Sequence, residues 1–185
     1  MQFYNHDNLA GCHAPFSPSK SSWLRYDDDK AVEVFRNKKA AEMGTRYHAW
    51  AAETINLGLK QPRSKKTLYA YVNDAIGFKM ATEVVLFYSL RFFGTADAIS
   101  FRNNFLRIHD LKTGVTPVHM EQLMVYAALF CLEYKVRPGD IEIELRIYQN
   151  DEVVVHNPTV EDIAPIMDKI IHLDKLLEKL ETEEG

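Results

Sequence analysis

Between Ala31 and Leu57 the apolar residues Val34, Phe35, Ala41, Tyr47, Trp50, Ala51 and Ile55 recur at three- and four-residue steps, the period of an amphipathic helix. Gly44-Thr45 interrupts that pattern and predicts a kink or two abutting helices. Upstream, Phe16 to Lys20 followed by Trp23-Leu24-Arg25-Tyr26 predicts a capped short helix with an aromatic face. Asp27-Asp28-Asp29 reads as a solvated loop or as the acidic first turn of the long helix. Gly58 ends that helix, and Lys66 to Phe78 forms another with Leu68, Tyr71, Val72 and Ile76 on one side.

Strand patterns then take over. Thr82–Leu90, Phe92–Phe101 and Phe105–Lys112 are apolar and β-branched, and Arg102-Asn103-Asn104 between the last two is turn chemistry. Thr116–Tyr134 is helical and apolar on nearly every side (Val118, Met120, Leu123, Val125, Ala128), as in a helix buried against a sheet. Pro138-Gly139 starts a strand in which Ile141, Ile143, Leu145 and Ile147 alternate with Glu142, Glu144, Arg146 and Tyr148, the mark of a half-exposed strand. Asn150-Asp151 turns it into Val153-Val154-Val155, and Asn157-Pro158 closes the sheet. Thr159-x-x-Asp162 resembles a capping box ahead of a helix carrying Ile163, Ile166, Ile170, Leu173, Leu177 and Leu180. That helix either covers the sheet or offers a dimer seam. The prediction is one α/β domain over 1–185: mainly helical over 1–80, a mixed sheet over 81–158 with a buried helix at 116–134, and a C-terminal helix at 159–181.

Composition narrows the class. With 185 residues, 46% of them hydrophobic, and only 8 Gly and 7 Pro, the chain is globular rather than disordered. No apolar run reaches the roughly 18 residues of a membrane span and the polar N-terminus is no signal peptide, so the expected location is the cytoplasm of a bacterium or of a phage-infected host. The cysteines are Cys12 and Cys131, the second in an apolar helix, and two thiols cannot supply a Cys₄ zinc site or iron–sulfur cluster. His6, Cys12 and His13 have no standard zinc spacing. The net charge of −4 conceals an asymmetry: residues 161–185 hold eight acids and three lysines, a balance of −5, which leaves the rest near +1. A basic linker, Lys60, Arg63, Lys65 and Lys66, lies between two helices and is a candidate for contact with a nucleic-acid strand.

Candidate chemistry centres on Asp110-Leu111-Lys112 at the end of a strand. Alternation puts Asp110 and Lys112 on one face. A hairpin turning symmetrically about Asn103-Asn104 sets Asp97 directly opposite Asp110. Like charges so placed are destabilising, and a cation or a raised pKa resolves them; the plainer alternative is two acids splayed into solvent. His48, four residues after Gly44, is either a hydrogen-bonded core histidine or an imidazole reaching toward those acids. Gln122 and Tyr126 are polar tips one helical turn apart on the apolar helix, structural or functional.

In order, His48, Gly94-x-x-Asp97, Asp110-x-Lys112 and Gln122-x-x-x-Tyr126 resemble the PD-(D/E)XK nuclease superfamily. The nearest branch is the RecB type, which includes CRISPR-associated and phage recombination exonucleases. The likeness covers roughly residues 17–150, with Ser17-x-Ser19 included. It implies a restriction-endonuclease-like core and one or two Mg²⁺ or Mn²⁺ ions on His48, Asp97, Asp110 and the Leu111 carbonyl, with Glu83 behind them. It also implies Lys112 at the scissile phosphate, with Gln122 and Tyr126 steadying it or touching the DNA backbone. The cysteine quartet of the iron–sulfur members is missing, so no cluster is implied, and no helicase motif accompanies the nuclease part. The function implied is a metal-dependent deoxyribonuclease of DNA repair or recombination, an exonuclease on ends or single strands that leaves 5′-phosphates. Its partners would be DNA and, beyond it, a second copy or a recombination or replication protein. The competing expectations are a non-catalytic nucleic-acid-binding protein and a metal-dependent phosphatase.

Overall fold

A computed structural model describes residues 14, 16, 18–114 and 119–184. His6, Cys12, His13, Ser17 and the start of the predicted helix at 116–118 therefore lie outside the described residues. The chain falls into two compact units, Met1–Thr45 and Arg46–Gly185.

In the first unit a 3-10 helix spans Pro18–Arg25, with Phe16 edge-on to Trp23 at 6.3 Å between ring centroids. Helix α1, Asp28–Asn56, follows. Asp27 caps it, its carboxylate accepting from the Lys30 N–H at 2.8 Å, and Asp28 and Asp29 occupy the first turn. The aspartate run is thus a helix start, where the dipole favours negative charge. Of the two expectations at Gly44, two abutting helices are not found: α1 is one continuous helix through it. A mid-helix glycine costs only about 1 kcal/mol, little against the length of this helix.

The second unit is built on a five-stranded mixed sheet, and the fold is α/β. Helix α2 spans Thr67–Gly77. The strands are β1 (Ala81–Ser89), β2 (Phe92–Arg102), β3 (Phe105–Leu111), β4 (Glu142–Gln149) and β5 (Glu152–His156), in spatial order of sequence. All neighbours are antiparallel except β3 and β4, which run parallel. A parallel pair needs a crossover, and helix α3, Glu121–Glu133, supplies it. Helix α4, Val160–Glu184, ends the chain. The β2–β3 and β4–β5 turns are Asn103-Asn104 and Asn150-Asp151, every one of these residues at a positive φ between 51° and 61°. Such two-residue turns match the twist of a hairpin, and Asn and Asp tolerate them.

Each face of the sheet has its own core. Leu86, Ile99, Leu106, Ile108 and Leu145 pack with Leu123, Ala127 and Phe130 of α3 and with Ile163 and Ile170 of α4. Ala98, Leu111 and Tyr148 pack with Ala51 and Ile55 of α1 and with Tyr71, Val72 and Ala75 of α2. Three expectations change. β4 alternates as predicted, with Ile143, Leu145 and Ile147 buried and Glu142, Glu144 and Arg146 less so, but Tyr148 is fully buried, and Arg146 and Tyr148 both bond to Asp74 of α2. Pro138-Gly139 opens a short 3-10 helix, Pro138–Asp140, and the strand begins at Glu142. α3 starts at Glu121, so His119 and Met120 precede it. The capping residue before α4 behaves as predicted on one side, Asp162 accepting from the Thr159 N–H at 2.8 Å. Cys131 is buried, which pushes its thiol up to about 11. Among the described residues no helix is long and apolar enough to cross a membrane.

Candidate metal centre

The predicted hairpin register holds over the whole β2–β3 ladder, from Arg102 opposite Phe105 to Ala98 opposite His109. One step further, at Asp97 and Asp110, that ladder stops. β3 continues against β4 as far as Leu111 opposite Tyr148, while β2 continues against β1. The sheet therefore forks at Asp97. The carboxylate closes the gap, its Oδ2 accepting from the Leu111 N–H at 2.9 Å. Packing shows the same break: Ala98 enters the core beneath α1 and α2, whereas Ala96 enters the core beneath α3. On a regular strand residues two apart share a face, so β2 rotates across Asp97.

β1 is distorted at the matching place. Thr82 pairs with Ala98 and Val84 with Ala96, and Glu83 between them has a φ of 52°. A left-handed glutamate inside a strand is a strained residue of the kind held at functional sites. From the other side, His48 of α1 brings Nδ1 to 3.3 Å from Asp97 Oδ2. His48, Glu83 and Asp97 each offer a ligand atom, all within 4.8 Å of one another. Glu83, expected only behind the ligands, stands in this trio. Asp110, expected as a ligand, lies beside it and faces Lys112. Leu111 enters through its amide.

A second set of contacts runs from Asp110 into α3. Lys112 Nζ lies 3.1 Å from Asp110 Oδ2 and donates to Gln122 Oε1 at 3.0 Å. Gln122 Nε2 in turn donates to the Tyr126 hydroxyl at 3.4 Å. Asp110 is almost fully buried, and its Oδ2 meets the described residues through that ion pair to Lys112. Gly94 has a part in this arrangement: a Cβ there would meet Tyr126 Cε1 at 2.8 Å, so only glycine leaves room for the ring. The four sequence motifs converge through these contacts.

The electrostatics are unbalanced. Burial, and then Asp97 beside it, raise the Asp110 carboxyl above its usual range, with Lys112 pulling the other way. Burial and Asp97 likewise raise Glu83. The hydrogen bond to Asp97 raises the His48 imidazole, against its own desolvation. Three acids thus crowd one imidazole and one ammonium. An imidazole with two carboxylates, and a third, buried carboxylate close by, fits a hard divalent cation such as Mg²⁺ or Mn²⁺.

Lys60, Arg63, Lys65 and Lys66 are all exposed. Lys66 also lines a cavity of about 430 Å³ that Lys112 shares. No local pattern in the chain announces that cavity, because its wall is assembled from α1, α2, the end of β3 and the β4–β5 turn. No protein-family model, curated protein or solved structure matches this chain.

Proposed function

We propose that the chain is a metal-dependent deoxyribonuclease of the PD-(D/E)XK type, with a restriction-endonuclease-like core in its second unit. The strand fork carries the proposal: one carboxylate, Asp97, is shared between His48 and the backbone of the strand that bears Asp110 and Lys112. The order of elements, helix, antiparallel hairpin, helix and parallel strand, supports the finer fold reading.

His48, Glu83 and Asp97 would hold a divalent cation, with Asp110 at its edge. When bound, such an ion lowers the pKa of a coordinated water and draws charge from the phosphate oxygens. The chain's own groups do the rest. Asp97 is oriented by the Leu111 N–H, so its carboxylate cannot swing away from His48. Lys112 sits where an ammonium orients an attacking water and offsets the charge that grows on phosphorus, without needing to lose its proton. Gln122 fixes the direction of that ammonium, and Tyr126 fixes Gln122. Tyr126 is a positioning residue. The products would be 5′-phosphates.

The test is end-labelled linear DNA, single- and double-stranded, against closed circular DNA, with Mg²⁺ and with Mn²⁺. Shortened linear strands and spared circles are expected, with Lys112→Ala slower by at least about 10²-fold. Intact DNA of every form with both ions overturns the proposal.

A further inference from the structure

β5 is the outer strand of the sheet on the side away from β1, and it carries Val153, Val154 and Val155, all exposed. Consecutive exposed β-branched residues on an outer strand are the composition that pairs with another strand. The backbone is open to such pairing. Glu152–His156 holds no proline or lysine, no residue at positive φ, and no shift in its register with β4. β1, the opposite rim, has both the turned backbone at Glu83 and a register shift between Phe87 and Ser89. Which groups of β5 face outward is fixed by its neighbours. The Tyr148 carbonyl accepts from the Lys112 N–H, on the β3 side, at 2.9 Å. Tyr148 and the opposed Val153 are therefore a pair without mutual hydrogen bonds. Val153 turns its N–H and C=O out of the sheet, and so does Val155, two residues on.

We propose that β5 pairs antiparallel with β5 of a second copy, centred on Val154, and joins the two sheets into one. This contact goes beyond the nuclease reading and does not depend on it. Its register follows from the outward groups, because Val153 and Val155 bond only to residues that also face outward. Centred on Val154, each Val153 exchanges N–H and C=O bonds with Val155 of the second copy, and Val154 lies against Val154 on the two-fold axis. Glu152 then stands opposite His156, an acid against an imidazole. A parallel pairing in register would set Glu152 against Glu152, and like charges directly opposed are destabilising. Centring on Val153 or Val155 instead puts a valine opposite Asp151 or Asn157, both beyond the ends of β5. The strand is thus complementary to itself in one register. The contact is isologous and closes on itself: each copy uses its open rim, and the Glu83 turn works against addition at the other. With the axis perpendicular to the sheet, the two Asp110–Lys112 strand ends lie at opposite ends of the joined sheet.

Sedimentation velocity of the full chain over a rising concentration series is expected to show a reversible monomer–dimer equilibrium. Val154→Lys, at an exposed position, puts two ammoniums on the two-fold axis and should weaken the dimer at least about tenfold. Val153→Pro removes an outward N–H from each copy, at a place where an outer strand tolerates proline, and should weaken the dimer too. Melting temperatures of both variants check that the fold is kept, and Val154→Lys decides alone if Val153→Pro fails to fold. Disulfide trapping reads the register, in a Cys12→Ser background with Cys131 buried. Val154→Cys should cross-link on mild oxidation: opposed residues of a non-bonded antiparallel pair have Cα atoms about 4.5 Å apart, within the span of a disulfide. Val153→Cys, opposite Val155, should not. A monomer at every concentration, a Val154→Lys that dimerises like the unaltered chain, or a Val153→Cys that links as readily as Val154→Cys overturns the proposal.

Discussion

His109 and Asp110 are neighbours in β3 that point into opposite layers, and each anchors a buried cluster of titratable groups. Around His109 the polar groups are paired off except for one ring nitrogen. The Tyr148 hydroxyl donates to Asp74 Oδ2 at 2.7 Å and lies 3.2 Å from His109 Nδ1. Its one proton goes to Asp74, so His109 Nδ1 carries the hydrogen and Nε2, the ring atom without a partner, is a bare lone pair. Arg146 bridges Asp74 and Glu144, and Arg107 joins Glu144. Burial, then Arg146 and Arg107, lower the His109 imidazole to about 3, which keeps it neutral. Around Asp110 the opposite holds: the acids outnumber their partners, and burial, then Asp97 beside them, raises the carboxyls of Asp110 and Glu83. The first cluster is arranged to be stable as it stands. The second becomes balanced only when positive charge is added.

The largest test of that contrast is a pair of single substitutions. Asp110→Asn should lower DNA cleavage by about 10³-fold or more, yet leave the metal-free melting temperature unchanged or higher, since it removes a buried charge beside Asp97. Tyr148→Phe should do the reverse, costing about 1–3 kcal/mol through the unpaired His109 N–H and the loss to Asp74, with cleavage retained below the melting temperature. Single-turnover rates and denaturant titrations measure both. A destabilised Asp110→Asn with unchanged rate would erase the distinction.

A smaller effect is expected where α3 meets β2. Gly94→Ala places a methyl against the Tyr126 ring and should cost about 1–3 kcal/mol by overpacking. In a Tyr126→Ala background the same change should cost almost nothing. A double-mutant cycle reads the difference; equal costs in both backgrounds would separate Gly94 from the lysine-positioning contacts.

The smallest effect is the pH dependence of metal-free stability, where the clusters should oppose each other. His109, lowered in the folded state, contributes stability that is present above its unfolded pKa and is lost as pH falls toward about 3. Its slope is at most about 1.4 kcal/mol per pH unit. Asp110, Glu83 and His48 are raised in the folded state. Their contribution is present below their unfolded values and is lost as pH rises through the folded ones. Urea unfolding at stepped pH should show an acid-side loss that His109→Asn reduces and a separate loss on rising pH that Asp110→Asn reduces. Mn²⁺ should reduce the second and spare the first.

Much of this was legible in the chain because it is local. The Asn103-Asn104 turn and the alternation beside it fix the register as far as Ala98 opposite His109, one step short of the predicted Asp97–Asp110 pair, and the strand and helix order follows from periodicity. What escaped depends on distant partners. The polar row of β4 read as solvent-facing because Asp74, which receives Arg146 and Tyr148, lies more than seventy residues earlier. α1 stayed whole through Gly44 because one poor helix former cannot outweigh its neighbours. Glu83 read as secondary because no pattern of residue types announces a left-handed φ inside a strand.

That backbone turn at Glu83 has an effect outside the site. β1 is an outer strand of the sheet, and Val85 and Phe87 stand exposed along it, an invitation for a foreign strand to add on. An irregular residue spoils the flat run of amides that such an addition needs, so the twist that sets a carboxylate beside His48 and Asp97 also works against self-association along this rim.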